Sequence, residues 1–177
     1  MVILRIRQMI TFEKGDMRFN YRVVGIIFNK NYVLLHRAER DNFWALPGGR
    51  VELLEPSKDA LKREMQEELG VEVRVDRLIW IVETFFKDGG TLFHEMGLYY
   101  LVELPKNCSL YRKRQFLGKE RLEEEKEIRL IFEWFSLNEL EALPLYPRFL
   151  RKALRDLPQT TQHIEVWENL KKRSKSI

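Results

Sequence analysis

Cysteine is nearly absent from this sequence: Cys108 is the only one among 177 residues. A single thiol cannot form an internal disulfide or a thiolate metal cluster, which excludes disulfide scaffolds and zinc fingers. Long apolar runs are also missing, since stretches such as 23–28 fall far short of the roughly 20 residues that cross a bilayer. Arg5 and Arg7 interrupt the apolar N-terminal residues, so no export signal is visible. We expect a cytoplasmic protein without a membrane span.

The sequence also lacks a strong excess of charge of either sign. It has 31 Lys and Arg residues against 27 Asp and Glu, with a net charge of +4 and a pI near 9.2. An excess of this size is common among soluble proteins and does not by itself indicate a polyanionic partner. The hydrophobic fraction of 45% is sufficient for a substantial core and excludes global disorder. At this length we expect one globular domain.

Segments rich in β-branched and aromatic residues alternate with short turns along most of the chain. Five of them are predicted as strands: 18–29, 32–37, 71–86, 91–104 and 129–135. Three other segments are predicted as helices: 57–69, 137–143 and 147–157. Residues 30–31 and 87–90 supply turns, so the first four strands form two hairpins. No repeat or interdomain linker is visible, and the order of elements predicts a mixed-sheet α/β domain.

The helix predicted at 57–69 has the clearest boundary signals. Ser57 is a candidate N-cap, Asp59 lies in the first turn, and Gly70 follows the last residue. Three apolar residues recur every four positions and predict a buried stripe: Leu61, Met65 and Leu69. The remainder of this helix is mostly charged.

Two charged segments are predicted to lie outside the core. Residues 105–127 contain charged runs such as 111–114 and 123–125, which indicate a surface excursion. Residues 158–177 are polar and end in a basic run, which is typical of a frayed end. We therefore assign residues 1–157 to one domain and residues 158–177 to a polar basic C-terminal tail.

Three carboxylates lie close together on the predicted helix. Glu64, Glu67 and Glu68 have i, i+3 and i+4 spacing, which places them within an arc of about 100°. Like charges this close repel, and a hard divalent cation such as Mg²⁺ or Mn²⁺ would compensate for them. Mg²⁺ commonly combines protein carboxylates with substrate phosphates, which favours phosphoryl chemistry. The alternative interpretation is an acidic helix face in water, without a ligand.

The residues around this cluster form a longer pattern, which begins at Gly49. The fixed positions of Gly-x5-Glu-x7-Arg-Glu-x2-Glu-Glu-x-Gly are occupied in order by Gly49, Glu55, Arg63, Glu64, Glu67, Glu68 and Gly70. Met65 and Val71 fill two apolar positions of the same pattern. The stretch resembles the Nudix box, and residues 43–49 and 132–135 resemble segments that accompany the box. On these residues the chain is identified as a member of the Nudix (MutT-like) hydrolase family.

The resemblance implies a fold, a reaction and roles for the site residues. It implies an α/β/α sandwich with a mixed β-sheet and a loop-helix-loop catalytic segment, and hydrolysis of a nucleoside diphosphate linked to another group. Four residues are implied to bind Mg²⁺, or Mn²⁺ in its place: Glu64, Glu67, Glu68 and, through its carbonyl, Gly49. Arg63 is implied to hold Glu55 and orient the loop, so that it joins the three glutamates in the catalytic set. The remaining support for the motif comes from Gly49, Glu55 and Gly70.

The sequence leaves the proton acceptor and the substrate open. The candidates for the proton acceptor are Glu67, Glu68, Glu83 and Glu95. Residues 85–88 carry neither the proline nor the tyrosine that marks two substrate classes of the family, so no substrate-binding residue is assigned. Phe43 and Trp44 are interpreted as core aromatics, with stacking on a nucleobase as the alternative.

A second class of function competes with catalysis. A nucleotide-binding sensor or regulatory module of the same fold would bind its ligand without significant turnover. The complete set of Glu64, Glu67 and Glu68 favours an enzyme, because a sensor does not need three metal-binding carboxylates. As a partner we expect a small-molecule nucleotide, with no membrane and no nucleic acid, and a homodimer is left open.

Overall fold

The computed structural model describes residues 7–121 and 127–170. This part of the chain contains nine strands: β1 Thr11–Lys14, β2 Met17–Asn29, β3 Tyr32–Ala38, β4 Gly48–Arg50, β5 Arg74–Asp88, β6 Thr91–Glu103, β7 Gln115–Arg121, β8 Glu127–Ser136 and β9 Gln162–Glu168. Two α-helices accompany them: α1 Ser57–Leu69 and α2 Leu150–Ala153. No helix in the described residues is long and apolar enough to cross a membrane.

The strands form one mixed sheet that divides at β2. Seven strands lie in the order β7-β8-β3-β2-β6-β5-β9, and β1 and β4 both pair with β2. The β2/β6 and β5/β9 pairs are parallel, whereas the other pairs are antiparallel. Strand β3 leaves β2 after two residue pairs, and farther along the same edge Val23 of β2 pairs with Gly49 of β4. Because β3 and β4 diverge along that edge of β2, the sheet opens beside the start of the loop that connects β4 to α1.

Apolar side chains cover both faces of this sheet. One face packs against α1 through Leu61 and Met65, which are fully buried, and Leu69 is partly buried beside them. The opposite face packs against the C-terminal segment through Leu150 and Leu154. Alternation of side chains along β2 supplies both cores, since successive residues of a strand point to opposite faces. The predicted α/β/α sandwich with a mixed sheet is confirmed.

Helix α1 begins and ends where the sequence predicts, but its first turn differs. Gly70 has a φ of 67°, the left-handed conformation that ends many helices. Ser57 is not the N-cap: that position belongs to Pro56, and the Ser57 hydroxyl instead forms a 2.8 Å hydrogen bond with the hydroxyl of Tyr100. Proline has no side-chain acceptor, so the helix begins without a side-chain cap.

The segment 105–127 lies mostly on the surface, as predicted, but it also contributes to the core and contains an ordered strand. Leu110 is buried in the core on the α1 side, and β7 pairs with β8 along its entire length. Gly118 of β7 lies against helix α1, so that a Cβ at this position would overlap the carbonyl oxygen of Glu68. Residues 122–126 lie outside the described part of the chain.

Replacing Gly118 with Ala should destabilise the protein by about 1–3 kcal/mol, because backbone on one side cannot yield to the new methyl group. The measurement is urea unfolding. The control is Leu117→Ala on the same strand, where 70% of the side chain is exposed and a change within about 0.5 kcal/mol is expected. Equal stability of Gly118→Ala and the parent would contradict this contact.

The C-terminal segment contains a strand in place of the predicted frayed tail. Residues 162–168 form β9, which pairs in parallel with β5, and residues 171–177 lie outside the described part of the chain. Five rings form one row across β1, β2, β6, β5 and β9, with centroids 4.2–5.2 Å apart: Phe12, Phe19, His94, Phe85 and Trp167. Contacts of this kind between rings on adjacent strands stabilise a sheet. The division at residue 157 stays a prediction, and the frayed tail is wrong for 162–168.

The two helices predicted after β8 are both shorter than expected. Within 137–143 only Leu140–Ala142 forms a 3-10 turn, and within 147–157 only the four residues of α2 are α-helical. Leu140, Leu150 and Leu154 are nevertheless buried. The spacing of these leucines in the sequence resembles that of an amphipathic helix, although the residues between them do not form a continuous helix.

Candidate active site

Strand β4 and the loop after it bring the Nudix-box residues against β2. Gly48 has a φ of 152°, and a Cβ there would overlap the carbonyl oxygen of Val23. A Cβ on Gly49 would overlap the carboxyl group of Glu64. The absence of side chains at these two glycines therefore lets β4 approach β2 closely and lets the Glu64 carboxyl group lie against Gly49.

Arg63 connects the loop to helix α1. Its guanidinium donates two hydrogen bonds to Glu55, at 2.8 and 2.9 Å, and one to Glu64 at 2.7 Å. It also donates to the carbonyl of Arg50 at 3.1 Å, and Glu55 accepts a further hydrogen bond from the Glu52 backbone at 3.0 Å. Burial opposes the charge of Arg63, but the hydrogen bonds to Glu55 and the charge of Glu64 raise its pKa. The contact that the resemblance implied between Arg63 and Glu55 is present.

The three carboxylates of α1 differ in their environments. Glu64 and Glu68 are buried, whereas the side chain of Glu67 is 28% exposed. Burial raises the pKa of Glu64, and the positive charge of Arg63 opposes that shift. The charge of Glu67 contributes less than burial does, so desolvation and not mutual repulsion is the main source of strain at Glu64.

Each of these carboxylates already faces a nitrogen group. Glu64 accepts a hydrogen bond from Arg63, and Glu67 accepts one from Arg7. Glu68 Oε2 lies 3.9 Å from Nδ1 of His36, a largely buried histidine, and desolvation lowers the pKa of this histidine to about 3. Among the described residues, no three His, Cys, Asp or Glu side chains are already assembled around a point that could hold a metal ion.

The donor set nevertheless fits a hard divalent cation. Carboxylate oxygens are the ligands that Mg²⁺ and Mn²⁺ prefer, and Glu64, Glu67 and Glu68 place them on one face of α1. The missing side chain at Gly49 lets the Glu64 carboxyl group lie directly against Gly49, the other residue that the resemblance implies as a ligand. Buried carboxylates with a raised pKa, such as Glu64, would gain from a neutralising ion. Binding would require Glu67 to release its present partner.

Four residues near the carboxylates were not identified from the sequence: Arg7, Arg22, His36 and Glu52. Glu52 is buried, with Oε1 3.3 Å from Nε of Arg7 and 3.5 Å from Nε of Arg63. Arg22 is close enough to lower the pKa of Glu64, and it lies 3.9 Å from Glu95. For Arg22 the available signal is a charged residue directly before the apolar run 23–28 of the same strand.

The other candidates for the proton acceptor have partners of their own. Glu83 contacts His163 at 2.9 Å and His94 at 3.5 Å, on the strands beside β5. Glu95 accepts a hydrogen bond from Asn20 at 2.8 Å and lies near Arg22. Glu83 therefore belongs to a histidine cluster on the sheet, whereas Glu95 is linked through Arg22 to the surroundings of Glu64.

The two aromatic residues before the glycines pack with other rings. Trp44 lies 4.7 Å from the ring of Phe135 and beneath the guanidinium of Arg37. Phe43 contacts the ring of Tyr146 edge to face at 5.9 Å, and 41% of Phe43 is exposed. Trp44 is thus a packing residue, while Phe43 keeps an accessible edge.

Comparisons with known proteins agree with this architecture. A family model described as the NUDIX domain matches residues 18–157. The 8-oxo-dGTP diphosphatase of Buchnera aphidicola subsp. Schizaphis graminum is 28% identical over 107 residues, which are 58% of this chain and 77% of that protein.

Solved structures show the same fold. An ADP-ribose pyrophosphatase from Streptococcus suis matches with a TM-score of 0.51 and 19% identity, over 82% of this chain and 98% of that one. The MutT protein from Bacillus halodurans matches with a TM-score of 0.53 and 20% identity, over 81% and 89%. Because the family model covers well over half of the residues, including the loop and helix described above, this chain belongs to the Nudix hydrolase family.

Proposed function

We propose that this Nudix hydrolase cleaves the diphosphate linkage of a nucleoside diphosphate derivative with the help of Mg²⁺ or Mn²⁺. The observation that carries the proposal is the face of α1 on which Glu64, Glu67 and Glu68 lie, with the Glu64 carboxyl group packed against Gly49. Arg63 holds this helix to the loop through Glu55, which supports a site that is fixed before substrate arrives.

The residues of the site would have different roles in the reaction. Glu64, Glu67 and Glu68 would hold the divalent cation, which when bound supplies neutralising charge and lowers the pKa of a water molecule. A water molecule would attack phosphorus and form the new P–O bond, and the bridging oxygen of the diphosphate would leave with its electron pair on the other product. A carboxylate oxygen of Glu67 or Glu68 accepts the proton of the water. Arg22, next to Glu64, would bind a phosphate oxygen of the substrate.

The substrate class follows from what two relatives have in common. One relative is named an 8-oxo-dGTP diphosphatase and another an ADP-ribose pyrophosphatase. The substrates in these names both contain a nucleoside diphosphate, although their remaining groups differ. We therefore propose that the substrate of this protein contains a nucleoside diphosphate. We also propose a small nucleotide as the only partner that the site requires, and a cytoplasmic location.

A release assay tests the proposal. The protein would be incubated with nucleoside triphosphates, nucleotide sugars and dinucleotides, each with Mg²⁺, with Mn²⁺ and with a chelator, and the phosphate-containing products would be identified. Cation-dependent cleavage between the two phosphorus atoms of at least one compound is expected. Tight nucleotide binding without turnover would instead support a sensor.

Millimolar Mg²⁺ should raise the melting temperature of the nucleotide-free protein by about 2–4 °C, because the ion binds the folded carboxylate cluster by mass action. Differential scanning calorimetry with and without the ion measures this shift. Glu64→Gln should show a smaller shift. An unchanged melting temperature with Mg²⁺, both alone and together with a non-hydrolysable nucleotide, would contradict a metal site on α1.

A further inference from the structure

The N-terminal arm, residues 7–14, lies along the catalytic loop. The backbone N–H of Leu53 donates to the carbonyl of Gln8 at 2.8 Å, and that of Ile10 donates to Val51 at 2.8 Å. This arm precedes residues 18–157, the part of the chain that the family model matches. The arm therefore reaches the loop between β4 and α1 from outside the matched segment.

The arm places Arg7 on the acidic cluster. Its guanidinium donates a hydrogen bond to Glu67, and its Nε lies 3.3 Å from Oε1 of Glu52. The side chain of Arg7 is about half exposed, whereas that of Glu52 is 8% exposed. The hydrogen bond to Glu67, together with the charges of Glu67 and Glu52, raises the pKa of Arg7.

Arg7 and a divalent cation would need the same carboxylate. Glu67 receives Arg7 on Oε1, while its Oε2 lies 3.6 Å from Nη1 of Arg63. A cation that binds Glu67 must displace at least one of these groups, because like charges at such distances repel strongly. Arg63 is fixed by two hydrogen bonds to Glu55, so the displaced group is Arg7.

Glu52 gives Arg7 a position to which it can withdraw. Oε1 of Glu52 is buried and accepts no hydrogen bond from the described residues, although Arg7 and Arg63 both lie within ion-pair distance. A small rotation of the Arg7 side chain toward Glu52 would therefore release Glu67 and complete a hydrogen bond to a buried charge. The guanidinium does not have to enter bulk water.

We propose that Arg7 is a positioning residue that neutralises Glu67 in the metal-free protein and is displaced toward Glu52 when a divalent cation binds. The proposal rests on the proposed function, because it assigns Glu67 to the metal. Arg7 then sets the affinity for the cation through competition. The same contact stabilises the metal-free protein, so its removal should affect these two properties in opposite directions.

The test compares Arg7→Gln with the parent in the full chain without nucleotide. Titration with Mn²⁺, followed by electron paramagnetic resonance of the free ion, should give a dissociation constant about three- to tenfold lower for Arg7→Gln. The melting temperature without metal should fall by about 2 °C, because Glu67 loses its counter-charge. A purely structural role of the arm predicts weaker Mn²⁺ binding together with the lower melting temperature.

Two controls separate the effect of the contact between Arg7 and Glu67 from the effect of removing a positive charge. Arg74→Gln removes the same charge from an exposed pair with Glu103, and it should leave the Mn²⁺ affinity unchanged. In a Glu67→Gln background, Arg7→Gln should no longer tighten Mn²⁺ binding. Equal or weaker Mn²⁺ binding by Arg7→Gln than by a parent that binds the ion would overturn the proposal. Absence of Mn²⁺ binding by the parent would overturn the metal site itself, and with it the proposed function.

Discussion

Glu68→Gln should lower turnover by on the order of 10²-fold or more while leaving the fold intact. The substitution keeps the size of the side chain and removes the charge of a buried carboxylate on the helix face that also carries Glu64 and Glu67. Where catalysis is mainly electrostatic, removal of a charged group of the site lowers turnover strongly. The measurement is the rate of product release at saturating substrate and Mg²⁺, together with circular dichroism and a melting curve.

The matched control for Glu68→Gln is Asp59→Asn on the same helix. Asp59 is exposed and lies 3.8 Å from Lys62, away from the carboxylate cluster. Asp59→Asn should keep turnover within about twofold of the parent, since exposed ion pairs contribute little to the stability of the fold. Turnover of Glu68→Gln close to that of Asp59→Asn would remove Glu68 from the catalytic set.

Arg63→Ala should reduce the free energy of unfolding by about 3–5 kcal/mol, because it leaves the carboxylates of Glu55 and Glu64 without their main counter-charge. The loop between β4 and α1 should also lose order, since Arg63 holds it through Glu55 and the Arg50 carbonyl. Urea unfolding gives the first quantity, and hydrogen exchange of the loop amides gives the second.

Arg63→Lys separates charge from geometry at this position. Lysine keeps the positive charge but cannot donate two parallel hydrogen bonds to Glu55. It should restore part of the stability and little of the loop protection. Loss of activity in Arg63→Ala with unchanged loop protection would show that Arg63 acts on the substrate and not on the loop.

The sequence predicted those elements whose signals are local. Helix α1 was predicted at its observed limits, because an apolar stripe and a C-terminal glycine are properties of adjacent residues. The hairpins β2/β3 and β5/β6 were predicted as well, since the turns that join them lie between two clear apolar runs. Neither prediction required knowledge of the rest of the fold.

The elements that were missed depend on partners distant in the sequence. β9 is half polar and becomes a strand because β5, about eighty residues earlier, offers an edge and an aromatic row. β7 pairs with the neighbouring β8, but its Gly118 packs against Glu68 of helix α1, and the need for a glycine there arises only from that contact. Propensity alone does not report such tertiary contacts.

The candidate site also contains both residues that the sequence predicted and residues that it did not. The three glutamates and Arg63 form a pattern within one segment, so their proximity could be predicted from helical spacing. Arg7 and Arg22 reach the carboxylates from other segments, through the arm and through β2. Their positions follow from strand pairing, which no spacing within the box encodes.

The row of five rings has a consequence for how much of the chain should be kept when the domain is produced. A chain trimmed to 18–157, the limits of the family match, would lack both Phe12 and Trp167, the two ends of the row. It would leave the outer edge of β5 without the hydrogen-bonding partner that β9 provides. Long apolar edges of this kind recruit strands from other molecules. The trimmed chain would therefore be prone to aggregation even though every residue of its Nudix box remained.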